Sequence, residues 1–245
     1  MRVLAAKAKE GRPQQLYLVK DTSKDFHTRF GYVSAAQLQK PAGRVQTQLG
    51  YNYCSFEPAF IDLWMRTERL PQRPLPKDFG AIIAHTCIGP DSDVVDAGGG
   101  SGWLACGLAR IARHVTSYEI DPGRARMIER NAAFLGLRNL TVKIADIKAG
   151  IAERELAAIT LDLPEPEAVL VHAKSALKLG GFVVAFSPQL TQALAFVNAL
   201  ESYDEFMHTQ TLEIIERHWL LADRRARPTG SVLHSGWLSF ARRIC

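Results

Sequence analysis

No stretch of the 245 residues approaches the roughly 18 uninterrupted apolar residues of a membrane span. The opening MRVLAAKAKEGRPQQ also lacks the apolar core of a secretory signal, so a cytoplasmic location is expected. Cysteine is scarce. Cys54, Cys87, Cys106 and Cys245 form no C-x-x-C pair and no His/Cys ladder, which argues against a zinc site; no metal is expected, and the thiols read as buried or incidental. No internal repeat or low-complexity tract is visible. Acid is in short supply relative to base: 25 Asp and Glu against 30 Lys and Arg give a net charge of +5. The excess gathers at the two ends. Lys7, Lys9, Arg12, Lys20, Lys24, Arg29, Lys40 and Arg44 crowd the first segment, and Arg224, Arg225, Arg227, Arg242 and Arg243 load the last. Such ends suit a polyanionic partner, although a solvated surface would read the same way.

Hydrophobic residues make up 47% of the chain, enough for a substantial core. Up to residue 57, short apolar runs (LYLV, YVSAAQL, RVQTQLGYNY) broken by Gly, Pro and Asp predict a small β-rich domain. Residues 58–75 read as a helical linker, from the periodicity of PAFIDLWMRTERL. From residue 76 to 245 strands and helices alternate. KDFGAIIAHTCIG, GWLACGLARIA, PGRARMIERNAAFLG, EAVLVHAKSALK and LTQALAFVNALESY are the predicted helices. DVVDA, HVTSYEI, LTVKIAD, AAITLDLP and GGFVVAFSP are the predicted strands, followed by two long closing ones. The rhythm predicts a mainly parallel sheet covered on both faces, with ligands at the carboxyl ends of its strands.

The stretch VVDAGGGSG places Asp96 ahead of Gly98, Gly100, Ser101 and Gly102 where the first of these strands becomes a helix. Glycine there lets the backbone pass close to a ligand. A dinucleotide loop would read G-x-G-x-x-G, whereas this one is D-x-G-x-G-x-G. Glu119 ends the next strand, where a carboxylate can accept from both hydroxyls of a ribose, as in either a nicotinamide cofactor or S-adenosylmethionine. Asp146 closes a third strand, placed to accept from an adenine amino group, and three acids ending three successive strands favour S-adenosylmethionine. A nicotinamide cofactor and a purely structural glycine turn are the remaining alternatives. Asp162, in LDLPEP, ends the fourth strand beside two prolines. It is either an acid–base or electrostatic group at the cofactor edge or the N-cap of the following helix.

Taken together, FHTRFGYV, KPAGRVQTQLGYNY, LPKDFGAIIAHTCI, VVDAGGGSG, LDLPEP and RPTGSVLHSGWLSFARRI resemble the tRNA (adenine-N1)-methyltransferase family, in particular its archaeal single-subunit branch. The resemblance spans nearly the whole chain. It implies a Rossmann-like class I S-adenosylmethionine-dependent methyltransferase, an α/β fold with a mainly parallel seven-stranded sheet and a small N-terminal β domain that binds tRNA. It also implies a homotetramer that methylates N1 of T-loop adenine 58, and in archaeal members often 57. Carried over by position, Asp96, Gly98, Gly100, Ser101, Gly102, Glu119, Asp146 and Asp162 hold the cofactor, and Asp162 is the catalytic residue beside the base. Leu75, Lys77, Arg227, His234 and Trp237 are the implied substrate-binding residues. Lys77 and Asp78 open a helix over the cofactor pocket, and Pro228 and Gly236 join the rim. Phe26, His27 and Thr28 belong to the N-terminal domain. The chain departs from the family pattern in RLPQRPLPKD. Leu70 replaces a glycine, Arg73 and Pro74 replace an apolar pair, and Leu75 stands where a ring is usual, with Trp237 as the candidate substitute. Ser235 stands where the family has threonine. A methyltransferase acting on protein isoaspartate or a small molecule, and a non-catalytic tRNA-binding subunit, are the competing readings.

Overall fold

The computed structural model describes residues 1–7, 14–70, 74–222, 225–230 and 234–245; Lys9, Arg12, Arg73 and Arg224 lie outside the described residues. The chain divides into two compact units, Met1–Thr67 and Glu68–Cys245. Residues 58–75 are therefore split between them.

In the first unit, β1 (Arg2–Ala6), β2 (Gln15–Val19), β3 (Phe26–Thr28), β4 (Gly31–Val33), α1 (Ala35–Leu38), β5 (Gly43–Gln46), β6 (Asn52–Phe56) and α2 (Phe60–Trp64) follow in order. Four strands pair antiparallel in the order β2-β1-β6-β5, and β3 and β4 form a separate hairpin. Leu4, Val19, Val33, Leu38, Val45 and Tyr53 pack beneath them. Burial of these side chains is the main force holding so small a sheet together. The Tyr53 hydroxyl donates to Gln15 Oε1 at 2.6 Å, so the one polar tip in that cluster is satisfied. The run YVSAAQL does not continue as a strand. After Ser34 it turns into α1, because Ala, Gln and Leu favour helix once the β-branched residues end.

The second unit runs α3 (Pro76–Thr86), β7 (Asp93–Ala97), α4 (Trp103–Ala109), β8 (His114–Glu119), α5 (Pro122–Leu135), β9 (Leu140–Ile144), β10 (Leu156–Leu161), α6 (Leu170–Ala176), β11 (Leu177–Ser187), α7 (Leu190–Leu200), β12 (Phe206–Glu213), β13 (Trp219–Ala222), β14 (Arg225–Pro228) and β15 (Trp237–Arg243). Its seven-stranded sheet has the order β12-β15-β11-β10-β7-β8-β9; β7 to β11 are parallel, and β15 and β12 close the edge antiparallel. Alternate residues face opposite layers. Val94, Ala158, Val184 and Phe240 pack in one cluster; Val95, Ile159, Val183 and Ala241 pack in the other. Burial on both faces is why these strands read as continuous apolar runs.

Local signals set the helix limits. Asp121 accepts from the Arg124 N–H at 2.8 Å, Pro122 takes the first turn, and Gly136 ends α5 at φ 69°. The predicted helix EAVLVHAKSALK is divided: a 3-10 turn at Pro166–Val169 precedes α6, and Leu177 already belongs to β11. The hairpin β13–β14, inserted between the closing strands, had no distinct signal in the sequence. Among the described residues no helix is long and apolar enough to cross a membrane, and all four cysteines are free, with Cys106 buried.

Candidate active site

Strand order reverses between β7 and β10, whose carboxyl ends lie side by side, and such a switch point opens a crevice for ligands. Gly98 leaves β7 with φ +79°, and a Cβ on it would sit 1.9 Å from the Asp162 carbonyl oxygen. The Asp162 N–H in turn donates to the Ala97 carbonyl at 2.9 Å. Glycine at 98 is thus what allows the loop after β10 to close against the loop after β7.

Glu119, 4% exposed at the end of β8, is held by one backbone donor per oxygen. The Gly100 N–H reaches Oε2 at 2.7 Å and the Asp121 N–H reaches Oε1 at 3.0 Å. Each oxygen keeps a lone pair for a further donor. Ser101 is buried, and its carbonyl accepts from Asn131 Nδ2 at 2.8 Å; Gly102, at φ 74°, starts α4. Asp146 lies two residues past β9 and is partly occupied, its Oδ1 accepting from the Lys148 N–H at 2.9 Å.

Three cavities meet at Gly98 and Asp162. One, of about 290 Å³, is lined by Tyr118, Glu119, Ile120 and Asp146. A narrow one of about 40 Å³ touches Asp96, Gly100, Ser101, Trp103 and Pro74. The largest, about 640 Å³, is bounded by Leu70, Arg124, Leu163, Pro164, Pro188, Gln189 and Gln192. Gln189, Gln192 and Arg124 were not singled out by sequence. The signal that could have found Gln189 and Gln192 is their place just after β11, at the ligand end of a parallel strand.

The acids at this junction are strongly perturbed. Asp96 is 2% exposed, with Oδ1 accepting from Thr160 Oγ1 at 2.7 Å. Burial pushes its carboxyl up to about 6 despite that hydrogen bond. Burial, reinforced by the Asp96 charge, pushes Asp162 up to about 7. The helix-cap alternative for Asp162 is displaced, since the cap of the 3-10 turn after it is Glu165, at φ 56°. The nearby thiol of Cys106 is pushed up to about 12 by burial and the Asp96 charge, which removes it as a nucleophile.

The rim residues fall into two groups. His234 Nδ1 lies 2.7 Å from Glu213 Oε1, and its ring packs edge-on against Trp237, centroids 4.6 Å apart. Trp237 pairs with Ser187, immediately before Pro188 of the largest cavity. Leu75 does not line the cavities just described; Leu70 does, while Leu75 caps α3 through its backbone N–H. Lys77 is 5% exposed, paired with Asp78 at 2.8 Å. Arg227 stands exposed on β14 next to Pro228.

An open α/β sheet with an antiparallel edge, a glycine loop after its first strand and an acid ending the second define a class I S-adenosylmethionine-dependent methyltransferase fold. Solved structures agree: a S-adenosylmethionine-dependent O-methyltransferase from Thermotoga maritima superposes with a TM-score of 0.85 at 27% identity, covering 100% of this chain and 93% of that one. Residues 61–229 match the family described as the tRNA methyltransferase complex GCD14 subunit, and the chain belongs to that family. It is 30% identical to the tRNA (adenine(57)-N(1)/adenine(58)-N(1))-methyltransferase TrmI of Methanocaldococcus jannaschii over 92% of this chain and 90% of that protein. It is 33% identical to the tRNA (adenine(58)-N(1))-methyltransferase TrmI of Thermus thermophilus, over 89% and 88% respectively. A protein-L-isoaspartate O-methyltransferase of Paracoccus denitrificans is 31% identical, but over only 58% of this chain.

Proposed function

We propose that the protein transfers a methyl group from S-adenosylmethionine to N1 of a T-loop adenine in tRNA, at position 58 and, as in the Methanocaldococcus relative, at 57. The observation that carries this reading is coverage. The tRNA-modifying relative extends over 92% of the chain, whereas the isoaspartate enzyme extends over 58%. Convergence of Asp96, Gly98, Glu119 and Asp162 on one cleft favours an enzyme over a non-catalytic subunit.

The cleft fits the cofactor. Glu119 keeps lone pairs for ribose hydroxyls, Asp146 shares its cavity, and the glycine loop adjoins the narrow cavity beside Asp96. When bound, S-adenosylmethionine would supply an electrophilic methyl: the adenine N1 lone pair would form the new N–C bond as the sulfonium S–C bond breaks and its electron pair stays on the departing thioether, so no protein nucleophile is required. Positioning is then the main contribution of the protein. Leu70, Leu163, Pro164 and Pro188 offer an apolar wall to an extruded base, and Gln189 and Gln192 offer amides to its edge. Methylation leaves positive charge on the ring. Asp162, ionised and beside that wall, stabilises the charge and accepts the proton released from N6. We place the activity in the cytoplasm, carried out by a homotetramer, with the N-terminal unit, which contains Phe26, His27 and Thr28, contributing to tRNA binding.

The test is incubation with labelled cofactor and unmodified tRNA transcript, then nuclease digestion and mass spectrometry. Label on N1 of adenine 58 or 57 supports the assignment; label on protein or on another nucleotide overturns it.

A further inference from the structure

Away from the acids of the cleft, a second buried charged group lies at the first turn of α3. The Lys77 and Asp78 side chains are 5% and 0% exposed, with Nζ 2.8 Å from Oδ1. Asp78 Oδ2 accepts from the Leu75 N–H at 2.7 Å. Ser235, from the segment leading into β15, donates its hydroxyl to Asp78 Oδ1 at 2.9 Å and accepts from Lys77 Nζ. The hydroxyl both donates and accepts, so three side chains from two distant segments close a polar triangle. The next residue is wedged from the other side. A Cβ on Gly236 would meet the Ser187 carbonyl oxygen at 2.7 Å and the Phe186 ring at 2.9 Å. Residues 235 and 236 are thereby clamped between α3 and the carboxyl end of β11.

A buried ion pair adds little net stability over apolar packing, but breaking one partner is disruptive, so its use lies in fixing one arrangement. What this one fixes is the segment carrying His234 and Trp237 at the rim of the cleft. We propose that Lys77, Asp78 and Ser235 are a latch that holds residues 234–237 in register beside the acceptor cavity. Lys77 is then a positioning residue rather than a ligand for tRNA phosphate. The purpose of the latch rests on the tRNA methyltransferase reading; its existence does not.

Three variants of the full chain test it: Ser235→Ala, Ser235→Thr, and the pair Lys77→Met with Asp78→Asn, which removes both charges together and leaves an amide oxygen for the Leu75 N–H. In the free protein, Ser235→Ala should speed backbone hydrogen exchange at 235–237 by about tenfold or more, as expected for loss of a hydrogen bond to a charged group. Single-turnover methylation at saturating tRNA should slow with it, while S-adenosylmethionine affinity stays at the wild-type value. Ser235→Thr should restore both rates. The paired variant should leave the salt dependence of tRNA binding unchanged, since a phosphate-bound lysine would contribute roughly 0.7–0.9 to the slope of log affinity against log salt. Unchanged exchange in Ser235→Ala, or a slope lowered by about that amount in the paired variant, overturns the latch. A wild-type protein that methylates no tRNA overturns the functional reading instead, and the exchange measurement still decides the latch.

Discussion

Asp162 can take a proton only after it has lost its own. Its carboxyl titrates near 7, raised first by burial and then by Asp96, so much of it is neutral at pH 6 in the free protein. The methylation rate should therefore rise with pH to a plateau, with a midpoint at or below about 7, because a bound sulfonium would favour the charged form. Asp162→Asn should lower the plateau by about 10²–10⁴-fold and remove the pH dependence assigned to this group. A single-turnover rate that is flat from about pH 5.5 to 8.5 would remove Asp162 from proton transfer. Stability has the opposite sign. The folded-state value lies above the unfolded one, so the favourable contribution is complete in acid and lost as pH rises through about 7. Asp162→Asn should accordingly raise the melting temperature more at pH 8 than at pH 5. Glu119 offers a separate test: Glu119→Ala should weaken S-adenosylmethionine by about 1.5–3 kcal/mol, read by calorimetry, for loss of hydrogen bonds to a charged acceptor. Equal affinity in wild type and variant would exclude Glu119 from the cofactor site.

At the scale of elements, two glycines with similar backbones make a controlled comparison. Gly98 and Gly136 have φ of 79° and 69°, but only a Cβ at 98 collides with another element, the Asp162 carbonyl; at 136 nothing lies within 4 Å. Gly136→Ala should cost about 1–2 kcal/mol of stability from left-handed strain and leave methylation intact. Gly98→Ala should push the β10 loop away and abolish cofactor binding together with transfer. If both variants keep full activity, the contact between the two loops does not shape the site. The same distinction explains what the sequence could reveal. The glycine loop, Glu119 and Asp162 were legible because strand ends in a parallel sheet follow from local apolar runs and their stops. Leu70 as a cavity wall, Glu213 as the partner of His234, and Ser235 on Asp78 were not, because each depends on a contact made after distant segments pack. The hairpin β13–β14 was missed for a related reason. Its strands are only four residues each and its described residues are exposed, so no alternation of buried and solvent faces marks it.

For the whole molecule, the question is whether the cations on the first unit meet a polyanion. Lys40 and Arg44 are exposed there, Arg225 and Arg227 are exposed on β14, and the chain carries a net charge of +5. Arg242 and Arg243 donate to backbone oxygens of Gly180, Leu177 and Cys245, which restrains the two guanidinium groups without cancelling their charge. Neutralising a phosphate contact removes one released counterion, so Lys40→Gln with Arg44→Gln should lower the salt slope of tRNA binding by up to about 1.4–1.8. Affinity at low salt should fall with it. Cofactor affinity and the rate at saturating tRNA should not change, since neither residue belongs to the unit that holds the cleft. A slope identical to wild type would take the first unit off the phosphates, and a shallow slope in the wild type itself would count against a polyanionic substrate altogether.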